Sequence, residues 1–333
     1  MTTNKCHLTG IIMLISLSIY GCSDGPPDND SFSSETPTAT DSNILQYHWN
    51  PNVKLKYRFE LSQEVEVKTI EKMIISYIRI TQAYELAPIP KPKSNELAIG
   101  LTFTDQQVSL REGKSEDTYD STKSDEHESG NFLENSFGRL VGQQIVLILA
   151  PDQEIDRFEG LAPLLTQMTQ EVPLNLKNII LSIFDEDRIK QLVYLTRLPI
   201  GHINQGQAWP IQETRQFGLL GQTKLDGTAR LLGTEIRDGH TLYQIQISGE
   251  VRNSSSPNLT PAQPYILSSG TFLGTARFDW DLGQYAESIL TIDLDVDFNS
   301  ALTRHESQPG DIHVTQKYAT KLLEVETLEG GTP

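Results

Sequence analysis

Between Lys54 and Leu61 apolar and charged side chains alternate without a break: Leu55, Tyr57, Phe59 and Leu61 share one phase, Lys54, Lys56, Arg58 and Glu60 the other. A period of two puts the two sets on opposite faces of an extended chain, the pattern of a half-buried strand and not of a helix. Val65 and Val67 prolong the strand, and the apolar run 74–80 is placed to return beside it. Pro88, Pro90 and Pro92 are expected to break regular structure. The alternation resumes at Leu97, Ile99, Leu101 and Phe103, followed by an expected turn at Asp105-Gln106 and a short strand through Val108 and Leu110.

More strands are expected later. Residues 143–149 read as one, turning at Pro151-Asp152-Gln153 into a return at 154–158. Gly206-Gln207-Ala208-Trp209-Pro210 opens a second β region, with strands expected at 213–225, 229–236, 241–251, 266–280, 286–298 and 313–325. Arg237-Asp238-Gly239 and Leu282-Gly283-Gln284 are turn signals, and 253–264 reads as a polar, proline-containing loop. The period changes only in between. Leu133, Phe137, Leu140 and Val141 predict a short helix over 132–141. Leu161, Leu164, Leu165 and Met168 predict another; Leu176, Ile179, Ile180 and Ile183 a third; and Ile189, Leu192, Val193 and Leu195 a fourth, with Asp185 as a cap. Residues 112–130, dense in Ser, Asp, Glu and Lys, are expected to be a disordered surface loop.

These patterns predict a mainly β protein of the α+β kind, built from antiparallel sheets. Residues 44–158 form an N-terminal β-rich lobe, 159–198 a helical segment packed on a sheet, and 199–327 a C-terminal antiparallel β lobe. Leu140-Val141-Gly142, then a strand and the turn at Pro151, parallels Phe272-Leu273-Gly274, then a strand and the turn at Leu282-Gly283. The glycine-to-turn spacings differ by about one residue, so both related lobes and coincidence stay open.

The chain's 44 acidic residues exceed its 27 basic ones, for a formal charge of −17. Such a body repels nucleic acid and anionic membrane surfaces alike. Cys6 and Cys22 are its two cysteines.

The first 22 residues say where the protein goes. Lys5 supplies a positive charge, 8–19 is apolar apart from Thr9, Gly10, Ser16 and Ser18, and Ile19-Tyr20-Gly21-Cys22 follows. The apolar run falls short of the roughly 20 residues a membrane span takes. The stretch resembles a bacterial lipoprotein signal peptide with its lipobox; Ile19 and Gly21 fit the pattern, while Tyr20 is bulkier than usual at its position. The resemblance implies cleavage between Gly21 and Cys22 and lipid attachment to the Cys22 thiol, which is nucleophilic as the thiolate. Removing the signal discards Lys5, taking the formal charge from −17 to −18, and Cys6, leaving no thiol for a disulfide. Residues 22–43, rich in Ser, Thr, Asp and Pro, read as a disordered tether. Ser23 rather than Asp follows the cysteine, which by the same resemblance implies the outer membrane.

Few residues invite chemistry. No Gly-x-Ser-x-Gly elbow, phosphate loop or dinucleotide fingerprint occurs. His127-Glu128 lacks the second histidine of a zinc-protease motif, and His48, His202, His240, His305 and His313 are widely spaced, each placed at a surface or turn. Asp293, Asp295 and Asp297 share one strand face about 7 Å apart. A solvated face is favoured there over calcium, since Phe298 and Arg304 stand where an EF-hand needs Gly and Glu. The Val141-Gly142 strand, the Gly206-Gln207-Ala208-Trp209 segment and the Phe278-Asp279 strand with its glycine turn are similar to those of β-rich secreted lipoproteins of no established activity. The expected function is that of a cell-envelope lipoprotein in an interaction or structural role, without enzymatic activity or cofactor. The alternative is a periplasmic carrier of lipid or another apolar ligand.

Overall fold

The computed structural model describes residues 43–68, 73–89, 97–126, 132–150, 153–170, 172, 177, 180–181, 184, 186–194, 198–199, 201–216, 220, 222–253, 265–298 and 311–328. Cys22, the signal and nearly all of the tether lie outside them, as do His127, Asp185 and His305.

Alternation of the kind seen at 54–61 extends into long strands: β1 (Asn43–Ile44), β2 (Val53–Lys68), β3 (Met73–Ile89), β4 (Leu97–Glu112), β5 (Ser115–Asp120), β6 (Gln144–Leu149), β7 (Ile155–Glu159), β8 (His202–Ile203), β9 (Ala208–Gln216), β10 (Gln222–Arg237), β11 (His240–Asn253), β12 (Tyr265–Asp279), β13 (Gln284–Phe298) and β14 (Ile312–Thr327). Twelve of them form one antiparallel sheet in the order β7-β6-β4-β3-β2-β14-β13-β12-β11-β10-β9, with β5 on β4; β1 and β8 pair separately. The helices are α1 (Phe132–Phe137), α2 (Leu161–Thr169) and α3 (Glu186–Val193). Lys177, Ile180 and Leu181 are helical too, within the helix expected at 176–183, whose other residues lie outside the described set.

The two β lobes expected from sequence are thus halves of one sheet. β14 lies between β2 and β13, running from Ile312 opposite Val67 to Thr327 opposite Val53, so the last strand sews the halves together. On the outer face this seam is held by Lys54, which meets Glu326 at 2.6 Å and Glu85 at 3.6 Å.

Three local expectations are corrected. At Asp105-Gln106 there is no turn: β4 continues, and Thr104 is an extra residue between the pairs Tyr84–Phe103 and Ala83–Asp105. This bulge shifts the inward phase from Phe103 to Gln106 and Val108, the same phase change that suggested a turn. The 213–225 strand divides into the end of β9 and the start of β10, while the expected break before 229 is absent because β10 runs on through Asp226-Gly227. Finally, 115–120 within the expected acidic loop is β5, hairpin-paired to β4, with Tyr119 buried.

Pro88, one of the three expected breakers, instead lies within β3, opposite Ile99, while Pro90 and Pro92 lie outside the described residues. Pairing of β3 with β2 ends at Leu86, so beyond it the strand has one neighbour and a missing N–H is tolerated. Pro210 sits in β9, at the edge of the sheet.

One face of the sheet is buried. Leu55, Tyr57, Phe59, Leu61, Val65 and Val67 on β2 join Ile80, Tyr84 and Leu86 on β3, Ile292, Leu294 and Val296 on β13, and Leu225, Ala229 and Leu231 on β10 in a single apolar cluster. Each such Leu, Ile, Val or Phe adds about 1.5–3 kcal/mol when fully buried.

Candidate functional site

The inner face carries an aromatic row and a polar cluster. Pairing sets Tyr57, Tyr84 and Phe103 side by side across β2, β3 and β4. The Tyr57 and Tyr84 rings stack at 5.5 Å, Tyr84 meets Phe103 at 6.5 Å, and Phe103 meets Phe184 edge-on at 6.2 Å. Phe137 of α1 reaches Phe184 from the other side at 5.9 Å. The row thus runs from the sheet into the helical layer. Tyr84 also donates its hydroxyl to the carbonyl of Leu192 in α3 at 2.6 Å. Burial pushes the phenol of Tyr84 well above its ordinary value, with Tyr57 beside it adding to the rise, so it stays a donor.

Next to this row the apolar phase is interrupted by inward glutamines. Gln63 stands between Leu61 and Val65, Gln82 between Ile80 and Tyr84, and Gln316 between Val314 and Tyr318; all three are buried. The bulge at Thr104 turns Gln106 inward as well. Gln82 donates to Gln106 and Gln316 to Gln63, both at 2.8 Å, and the Tyr318 hydroxyl donates to Gln316 at 2.5 Å. The Gln82–Gln106 pair stands apart, opposite Phe59 and four residues along β2 from Gln63, while Arg188 of α3, only 4% exposed, joins the Gln316–Gln63 pair through Tyr318. One of its amino groups donates to the Tyr318 hydroxyl at 2.6 Å, another to Gln191 at 2.7 Å, and the guanidinium carbon lies 4.4 Å from the centre of the Tyr318 ring. The buried Nε2 atoms of Gln63 and Gln106 have no acceptor among the described residues. A guanidinium and two amide donors therefore sit inside an otherwise apolar face, where desolvation is costly unless each is matched.

Tyr57, Tyr285, Ser288 and Thr320 of the sheet and Gln191, Leu192 and Val193 of α3 line a cleft of about 10 Å³, the size of one water. Sequence patterning did not single this cluster out. Its signals were the parity of Gln63, Gln82 and Gln316, which puts polar amides on the buried phase, and the position of Arg188 one helical turn before Leu192.

The outer face holds the carboxylates marked in the sequence. Asp295 accepts from Ser269 at 2.7 Å and lies 2.8 Å from Nδ1 of His313, while Asp293 accepts from Thr315 at 2.8 Å. The Ser269 hydrogen bond, then the His313 contact, hold Asp295 below the usual carboxylate value. These oxygens are engaged by hydroxyls and an imidazole from both flanking strands, an arrangement suited to a solvated strand face. His48 contacts the carbonyl of Asp281 at 3.2 Å, and His240 stands 3.0 Å from Asp279. Among the described residues no helix is long and apolar enough to cross a membrane.

No family description and no curated protein matches the chain. Among solved structures, one of lipovitellin concerned with lipid–protein interactions aligns with 86% of this chain and 26% of its own, at 12% identity and a TM-score of 0.48. DynF from the dynemicin biosynthesis pathway of Micromonospora chersina aligns over 92% of this chain and 94% of its own at 7% identity, TM-score 0.18. A putative outer membrane lipoprotein-sorting protein domain from Vibrio parahaemolyticus covers 83% and is itself covered to 87%, at 5% identity and TM-score 0.13. At such identities and scores none of the three sets a family or a function for this chain, which stands as a mainly β protein built on one large antiparallel sheet.

Proposed function

We propose that this is a non-enzymatic lipoprotein of the bacterial cell envelope, anchored at the outer membrane through Cys22, which carries an apolar-tailed ligand between its sheet and its helices. The observation that carries the proposal is the polar cluster around Arg188 within the apolar inner face. A packed core gains little from a buried guanidinium, since apolar replacements of buried ionic groups are often neutral or stabilising. An amphiphile, in contrast, needs both parts: an apolar surface for its tail and a few placed donors for its head. Arg188, with the open Nε2 donor of Gln63 linked to it through Tyr318 and Gln316, supplies the second. The acidic body has no electrostatic attraction to an anionic bilayer, so in this reading the lipid on Cys22 does the holding and the 22–43 tether sets the reach.

The aromatic row that packs the sheet directly against the helices, Tyr84, Phe103, Phe184 and Phe137, favours a second reading, an interaction or structural lipoprotein. Native mass spectrometry of protein purified from the envelope separates the two. A co-purifying lipid beyond the covalent anchor supports the carrier. A bare protein that also fails to take up a fluorescent fatty acid overturns it in favour of the second reading.

A further inference from the structure

At one end of the sheet two hairpins and an N-terminal segment converge. The tight turn at Asp238-Gly239, both with positive φ, makes His240 the first residue of β11. Asp279 is the last residue of β12, and Asp281 lies in the turn that leads to β13. One ligand atom from each of His240, Asp279 and Asp281 lies within 4.8 Å of the others. From these positions we propose that the three residues bind a divalent first-row metal ion, of which Zn²⁺ is the test case.

Two observations separate the cluster from an ordinary acidic surface. Asp279 is 3% exposed and accepts a hydrogen bond at Oδ1 from the Leu282 amide at 3.0 Å. Its Oδ2 faces Nδ1 of His240 at 3.0 Å, and that buried ring nitrogen has no hydrogen bond among the described residues. A ring nitrogen and a carboxylate oxygen at this separation can occupy neighbouring positions around one metal ion. Asp281 is exposed at the rim, its Oδ2 held by the Thr241 amide at 3.1 Å, which sets the carboxylate beside the other two. One imidazole and two carboxylates balance a divalent charge, fit the ligand preferences of Zn²⁺ at about 2.0–2.2 Å, and leave a fourth position for water.

Bound there, the ion ties the β10–β11 hairpin to the β12–β13 turn. His48 contacts the same turn through the Asp281 carbonyl, and Trp280 donates to the carbonyl of Ile44 at 3.3 Å. The clamp therefore stands beside the 44–48 segment.

The test is isothermal titration of the chelator-stripped, soluble mature chain with zinc chloride, with thermal unfolding followed in parallel. The expected result is one zinc per chain and a rise in Tm, with affinity weakened about tenfold or more in His240→Ala and in Asp281→Asn. His313→Ala, at the other histidine–aspartate contact, binds as the parent does. Asp281 is exposed, so its variant folds, as circular dichroism will verify. Absence of zinc uptake by the parent, or uptake unchanged in both ligand variants, overturns the proposal.

Discussion

The ring of Phe272 lies across Gly249, its tip 2.5 Å from where a Cβ on that glycine would stand. Gly249 of β11 pairs directly with Gly227 of β10, and the same ring tip is 2.6 Å from a Cβ built there. Two facing glycines on neighbouring strands thus open a slot that an aromatic side chain from a third strand fills. Gly249→Ala is expected to lower stability by about 1–3 kcal/mol through overpacking, and Phe272→Ala by about 3–5 kcal/mol through the cavity it leaves. The alanine Cβ also meets the Asp226 carbonyl at 2.4 Å, so removing the ring restores the glycine variant only in part. Denaturant midpoints of the two single variants and the double variant check this; an unchanged midpoint for Gly249→Ala contradicts it.

Tyr84→Phe tests how α3 is held on the sheet. The substitution keeps the ring stack and leaves the buried Leu192 carbonyl without its donor, a loss of about 1–3 kcal/mol. Amide hydrogen exchange should quicken in α3 and remain slow in β2 and β3. Equal protection of α3 in parent and variant would show that this bond does not hold the cover down.

Alkali should unfold the protein through its buried phenols. Burial pushes Tyr265 up to about 12 and raises Tyr57, Tyr84 and Tyr285 as well, from an ordinary value of 10.0. Above pH 10 the unfolded chain releases these protons while the folded one retains them, so the stabilisation is complete below about 10 and is lost as pH rises through the folded values. Tyrosinate absorbance should therefore appear together with loss of the β-sheet dichroism. Ionisation of all tyrosines at pH 10 with the fold intact would refute this.

In acid the sign reverses at Asp295. Its folded value is lowered, so its contribution is present above the ordinary value of 3.8 and is lost as pH falls through the folded value. Asp295→Asn should flatten the acid limb of the stability curve and leave neutral stability nearly unchanged, as expected for an exposed pair. Because Ser269, His313 and Thr315 engage the neighbouring carboxylates, millimolar calcium should not move Tm; a rise reversed in Asp295→Asn would reinstate a calcium site.

For the anchor, Cys22→Ser is expected to abolish incorporation of radiolabelled palmitate and to release the protein into the soluble fraction. Membrane retention of a parent that takes up no label would reject lipid attachment.

Much of the sheet was legible because its strands are half-buried, and burial on one face writes a period of two into the sequence. Misreadings came where that period is deliberately broken. Thr104 adds one residue and looks like a turn; Asp226-Gly227 looks like a break and is the floor beneath Phe272. The internal union of the two halves was not legible, since nothing local in 312–327 states that its partner is β2. The same limit hid the metal-ligand candidates: His240 and Asp279 are distant in sequence and meet only through β11–β12 pairing. Arg188 was hidden for a different reason, its charge marking it as exposed although its helical position beside Leu192 faces the sheet.

Gln63 and Gln316 are separated by 253 positions and meet in the middle of the sheet. The seam between β2 and β14 therefore cannot form until the C-terminal strand has been synthesised, and every strand from β3 to β13 must be accommodated within the loop it closes. Contacts of such separation are slow to form. The sheet is therefore closed by the strand that arrives last of those described, and its two halves stay unjoined until β14 takes its place between them.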